Sequence, residues 1–199
     1  LTVDQLVEDT REVTVYLKSR FGQNKIYLLR HSWGSYLGVN TIEKYPENYL
    51  AYIGIGQVSN QKESERLAYQ YILSRAKQMN DKDVIEKLEK YDPYADDFPQ
   101  LDYLVKGRTA ILNKYGIGHL HQGVTSWDIL KSLFVFKGYT VTEKINWFLG
   151  ADFSMIHLFP GLLEDDLFLS SVKFEVPFYI TQGTHDYMVS QVLDRKSVV

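Results

Sequence analysis

A serine lying between an apolar run and a helical pattern can serve in two ways. It can cap the helix through its hydroxyl, or present that hydroxyl to an electrophilic carbon. Ser32 stands in that setting, within Leu28-Leu29-Arg30-His31-Ser32-Trp33-Gly34-Ser35-Tyr36-Leu37-Gly38. A tight strand-to-helix bend holds such a serine in a strained backbone conformation and lifts its hydroxyl clear of the sheet, provided that small neighbours let strand and helix approach. Free amides in the first helical turn suit a developing oxyanion, and the backbone N–H of Trp33 is one of them. The chemistry on offer is attack by an activated serine, with helix capping as the ordinary alternative.

The elements around Ser32 fit that bend. Thr2-Val3-Asp4-Gln5 matches a capping box, and Val3, Leu6, Val7, Val13, Tyr16 and Leu17 recur at helical spacing before Gly22, which predicts a helix over 3–20. Lys25 to Leu29 is a short apolar run without alternation, the pattern of a strand buried on both faces of a parallel sheet. A helical pattern from Trp33 to Tyr45 ends before Pro46, and Leu50 to Ile55 is a second strand candidate. Helix, strand, helix, strand implies a parallel sheet with helices packed on it. From Asn60 to about Leu169 the pattern turns helical: 61–79, 83–91, 101–112, 126–136 and 141–149, with a turn-rich break at Asp92 to Pro99, a loop at Gly116 to Gly123 and a mixed stretch at 153–169. A strand over Val176 to Thr181 follows, and Gln182-Gly183-Thr184-His185-Asp186 turns at its C-terminal end.

The totals set outer limits. The chain has 199 residues, enough for one domain with an insertion, and its net charge of −3 gives no basic footprint for nucleic acid. No apolar run reaches the roughly 18 residues that span a bilayer, and the opening residues lack a signal-peptide pattern. Cysteine is absent, which excludes disulfides and thiolate chemistry and fits a cytoplasmic setting. Fifteen tyrosines and an aromatic share of 14% suggest large apolar contacts.

The stretch His31-Ser32-Trp33-Gly34-Ser35-Tyr36-Leu37-Gly38 resembles the nucleophile elbow of the α/β-hydrolase superfamily. It most resembles the branch related to bacterial proline iminopeptidases, where Trp and Gly commonly follow the serine. The order of parts is similar too: a strand after the elbow helix, a helical cap, then a strand ending in Gly-x-His-Asp. The resemblance covers most of the chain, the cap by architecture only. It implies an α/β-hydrolase fold, a parallel sheet core with an inserted helical cap, divided into core at 1–58, cap at 59–170 and core again at 171–199. It implies a serine hydrolase acting on an ester, an amide or a short peptide, without metal or cofactor. Asp186 would be the triad acid, which suits a carboxylate at the end of a sheet strand that must orient a histidine.

Two departures from that pattern matter. Arg30 stands where the elbow usually has glycine, and should crowd the strand–helix crossing unless its side chain escapes to solvent. No histidine follows Asp186, and no His-Gly or Gly-Gly-Pro loop precedes Ser32, so the chain is expected to be an internal fragment, truncated at both ends and inactive alone. Its open sheet edges should then favour homo-oligomerisation. His31 and His185 are neighbours in sequence of the two proposed partners and should point away from them. His119, His121 and His157 fall in the cap, and His119-Leu120-His121 has no third ligand to form a metal site. Trp127, Phe134, Phe136, Trp147, Phe148, Phe153 and Phe159 should pack cap against core or line an acyl pocket. Glu63, Glu65 and Glu164 are the acids a cap could offer to a substrate amine. The competing reading is a non-catalytic relative, its elbow decayed at Arg30, that only binds a ligand or partner.

Overall fold

The computed structural model describes residues 1–115, 126–170, 173–184, 186–190 and 193. Helix α1 (Val3–Phe21) opens at Thr2, whose hydroxyl accepts from the Gln5 amide while the Gln5 side chain accepts from the Thr2 N–H; it closes on Gly22 at φ 62°. Glycine adopts that left-handed conformation without a Cβ penalty. Strand β1 (Ile26–His31), helix α2 (Trp33–Lys44), a short 3-10 turn at Pro46–Asn48 and strand β2 (Tyr49–Ile55) follow. Strand β3 (Phe178–Thr181) comes more than a hundred residues later and pairs with β2. All pairings are parallel, in the order β1-β2-β3, with Leu29 opposite Ile53 and Ile53 opposite Tyr179. The chain is therefore α/β, with a small parallel sheet and mostly helices around it.

One face of this sheet carries the core. Leu28, Tyr52 and Phe178 pack with Tyr36, Val39 and Ile42 of α2, and Tyr49 reaches α1, its hydroxyl 3.0 Å from Thr14 Oγ1. The other face differs from the reading of strands buried on both sides: Tyr27, Leu29 and Tyr179 are 65%, 57% and 59% exposed. β1 is consequently two-sided, with buried Leu28 flanked by exposed Tyr27 and Leu29. The run of apolar residues gave no alternation to read, because the exposed side is also apolar. Pro177 falls just before β3, where its missing N–H costs nothing and its carbonyl still accepts from Tyr52 N–H at 2.9 Å.

Between β2 and β3 lie helices α3 (Gln61–Gln78), α4 (Lys82–Leu88), a π-helical turn (Tyr103–Arg108), α5 (Thr109–Lys114), α6 (Ser126–Val135), α7 (Val141–Glu164) and α8 (Leu167–Ser170). They build a core of their own from Tyr69, Ile72, Val84, Leu88, Phe98, Tyr103 and Leu112. Burying each such large side chain contributes roughly 1.5–3 kcal/mol before the entropy of ordering it. α7 runs 15 residues beyond the expected stop near 149, through Pro160. A proline lacks one helical hydrogen bond, but here it sits in the penultimate turn between buried Leu158 and Leu162, whose packing offsets the loss. Phe159, next to it, packs against both cores. Among the described residues no helix is long and apolar enough to cross a membrane. The loop expected at 116–123, with His119 and His121, lies outside the described residues, as does His185.

Candidate active site

Ser32 joins β1 to α2 at φ 54° and ψ −131°, a conformation that costs a non-glycine residue of order 1–3 kcal/mol. Its side chain makes no capping hydrogen bond, so the helix-cap role fails, and the residue is exposed at the mouth of the bend. What enforces the strain lies beneath it. Ser32 N–H donates to Ile55 O at 2.9 Å, extending the β1–β2 ladder by one residue. Ser35, fully buried, donates its hydroxyl to Ser32 O at 2.6 Å and accepts from Val58 N–H at 2.9 Å. The Tyr52 hydroxyl lies 3.0 Å from Ser35 O and 2.8 Å from Gln57 Oε1. Trp33 and Gly34 open α2, and their amides belong to the first turn, which the helix itself does not use.

Arg30 does not crowd the crossing out of shape, contrary to expectation. Its stem lies along the glycine side of α2: a Cβ on Gly38 would sit 2.8 Å from Arg30 Cγ, and one on Gly34 would sit 3.9 Å from Arg30 Cδ. Its guanidinium reaches α1, where Nη2 donates to Thr10 Oγ1 at 3.0 Å. The room usually supplied by a glycine on the strand is supplied here by two glycines on the helix.

Asp186 comes to the same rim. Gly56, at φ 58°, turns the chain at the end of β2; a Cβ placed on it would lie 3.7 Å from Asp186 Oδ2 and 3.9 Å from Ser32 N. The carboxylate is anchored: Oδ1 accepts from Met188 N–H at 2.9 Å and Val189 N–H at 3.2 Å, and Oδ2 from Gln182 Nε2 at 3.1 Å.

A cavity of about 660 Å³ opens beside Ser32 and Trp33. α7 lines it with Ser154, Met155, Leu158, Phe159 and Leu162, and Gln61 and Arg108 supply polar wall. That size and mostly apolar lining suit a small organic ligand. Behind the wall Glu65 has no exposed side-chain surface. Its Oε1 accepts from Arg108 Nη1 at 2.5 Å and Gln61 Nε2 at 2.7 Å. Burial raises the Glu65 carboxyl above its ordinary value, while Arg108 and then Gln61 pull the other way. Glu65 Oε2, Arg108 Nε and Tyr103 Oη are buried with no hydrogen-bond partner among the described residues.

This strand-end corner and cavity can be set against known proteins. The chain is similar to the "Probable aminopeptidase YbaC" of Bacillus subtilis (strain 168). The two are 29% identical over 199 residues, 98% of this chain and 61% of YbaC. The chain thus spans less than two thirds of the length of YbaC. No family model matches the chain, and no solved structure matches it significantly.

Most of the other residues singled out from the sequence lie away from the corner where Ser32 and Asp186 meet, or behind its cavity. His31 is exposed at the end of β1, and His157 turns back on α7, its Nδ1 2.7 Å from Phe153 O and its ring 4.0 Å from that of Phe153. Of the seven aromatic residues expected between cap and core, Phe159 alone takes that position. Trp127, Phe134 and Phe153 are exposed on α6 and α7. Phe136, Trp147 and Phe148 line a separate hollow of about 550 Å³ between those helices. Of the three acids, Glu65 is the buried one; Glu63 sits in a half-exposed ion pair with Arg66. Arg108, Gln61, Ser35 and Gln182 were not singled out from the sequence. Arg108 and Ser35 meet partners 43 and 23 residues away, which no local motif records, and Gln182 reaches Gln57 from 125 residues away; the i, i+4 pair Gln61–Glu65 on α3 is the local signal that could have been read.

Proposed function

We propose that the protein carrying this chain is a serine hydrolase of the α/β-hydrolase type, an aminopeptidase related to the proline iminopeptidase branch. Residues 1–58 and 171–199 would form the core and 59–170 the cap. One observation carries the reading: Ser32 is held at φ 54° with its hydroxyl unused by the helix, and the Asp186 carboxylate lies at the same corner. Arg30, the main feature favouring a decayed, ligand-binding relative, is accommodated without loss of that strained backbone.

In this reading Ser32 Oγ attacks the scissile carbonyl carbon while a histidine outside these 199 residues takes its proton. Asp186 holds that histidine and stabilises its charged form. The Trp33 amide donates to the oxyanion of the tetrahedral intermediate. Collapse expels the amine or alcohol, which leaves with the histidine's proton, and water then cleaves the acyl-enzyme by the same route. None of these steps calls on a metal or cofactor. Glu65 is closed off from the cavity behind Arg108 and Gln61, so the preference for a peptidase over a plain esterase is supported by the likeness to YbaC.

The test is labelling of the complete protein with a fluorophosphonate probe, followed by peptide mapping. Modification at Ser32, its loss in Ser32→Ala, and a fall in turnover of at least about 10⁴-fold are expected. Labelling elsewhere, or an active Ser32→Ala, would end the hydrolase reading. Amino acid p-nitroanilides should be cleaved and their N-acetylated counterparts spared; equal rates on both would leave a hydrolase but remove the aminopeptidase.

A further inference from the structure

The residue that ties this corner together is one that the chemistry above does not name. Gln182 follows β3 directly, and three of the four hydrogen-bonding positions of its side-chain amide are filled. Nε2 donates to Asp186 Oδ2 at 3.1 Å and to Val189 O at 2.8 Å. Oε1 accepts from Gln57 N–H at 3.2 Å, at the turn that ends β2. A Cβ on Gly56 would have Asp186 Oδ2, Ser32 N and Gln182 Oε1 at 3.7, 3.9 and 4.0 Å, so Gln182 meets the carboxylate on the side of Ser32. The backbone alone fixes Oδ1, through Met188 and Val189. Those bonds leave Oδ2 without a backbone donor among the described residues, and Gln182 is the described side chain that donates to it.

We propose that Gln182 is a positioning residue for Asp186: it sets the direction of Oδ2 and ties that direction to the end of β2, from which the Ser32 backbone also hangs. The proposal rests on Asp186 being the triad acid. The chemistry of an amide is required at this place. Glutamate has the same length and keeps the acceptor for Gln57, but offers Asp186 an anion in place of a donor. Leucine fills the space and makes neither contact. Asparagine is one methylene too short to span both partners.

The experiment uses the complete protein, with Ser32 acylation rate, kcat and KM as readouts. Gln182→Glu should lower kcat by about 10- to 100-fold with KM little changed, because a displaced acid misaligns the base without touching bound substrate. Gln182→Leu should fall in the same direction by less. The deciding measurement is a double-mutant cycle with Asp186→Asn. If Gln182 acts through Asp186, Gln182→Glu should cost almost nothing further once Asp186 is already Asn. A merely structural role would cost the same factor in both backgrounds, and that result would overturn the proposal. Unchanged kcat in Gln182→Glu, beside an inactive Asp186→Asn, would also overturn it and leave the acid assignment standing. An active Asp186→Asn would instead remove the acid and the proposal with it. Should Gln182→Leu fail to fold, the isosteric Gln182→Glu carries the cycle alone.

Discussion

The strand-end corner and the Glu65–Arg108 pair both fix polar groups in place, by opposite means. At the corner the donors are mainly backbone: the amides of Ser32, Gly56 and Gln57 stitch the ends of the strands together, and those of Met188 and Val189 seat Asp186. At the pair, side chains meet side chains, and three buried polar atoms find no partner among the described residues. Geometry built from main-chain atoms survives many side-chain replacements; geometry built from two charges in a dry place survives few. The corner is the kind of feature that persists under sequence drift, and the pair is the kind that changes with the ligand.

The sharpest way to break that contrast is to remove one charge of the pair. Arg108→Met leaves the Glu65 carboxylate buried and uncompensated, and should destabilise the protein by about 3–5 kcal/mol in urea denaturation. A double replacement, Glu65→Leu with Arg108→Met, should recover most of that loss. If Arg108→Met alone costs under about 1 kcal/mol, the pair behaves as an exposed one and the contrast collapses.

A smaller loss should follow from intruding on the corner's support. A Cβ on Gly38 would lie 2.6 Å from Tyr52 Cε2 and 2.8 Å from Arg30 Cγ. Gly38→Ala should therefore cost about 1–3 kcal/mol through overpacking, less whatever the helix gains from alanine. Pairing it with Arg30→Ala should relieve part of the cost, and a cost unchanged by that second substitution would show that Tyr52, not Arg30, takes the strain.

The smallest effect lies on the surface, where α1 meets the end of α2. Hydrogen bonds from Lys44, then Tyr45, then Arg11 hold the Glu8 carboxyl down at about 2, against an ordinary 4.5. A carboxyl depressed in the folded state stabilises it fully above the ordinary value and stops doing so as pH falls through the folded one. Stability should accordingly decline between pH 4.5 and 2, and Glu8→Gln should flatten that decline, read by thermal melts across the interval. Parallel curves for the two proteins would mean that solvent screens the network entirely.

Much of this was written locally. The Thr2–Gln5 capping box, the breaks at Gly22 and Pro46, and the strand–Ser32–helix sequence each depend on residues a few positions apart, and each appears where the spacing puts it. The features that escaped depend on distant partners. α7 passes Pro160 because Leu158 and Leu162 are buried by other elements, and Arg30 is tolerated because Gly34 and Gly38 lie across from it. Glu65 looked like any acid in a charged helix until Arg108 came to face it from 43 residues away. A one-sided sheet was illegible because Tyr27 and Leu29 are as apolar as the residues that are buried.

Phe159 has a consequence for how the molecule opens. Its ring belongs to the packing of the sheet and to that of the helices, and it borders the cavity. Loosening the helices enough to admit a bulky guest must disturb contacts on which the sheet layer also draws. Entry and whole-molecule resilience are thereby coupled through one aromatic ring, so a tougher protein is bought with a slower door.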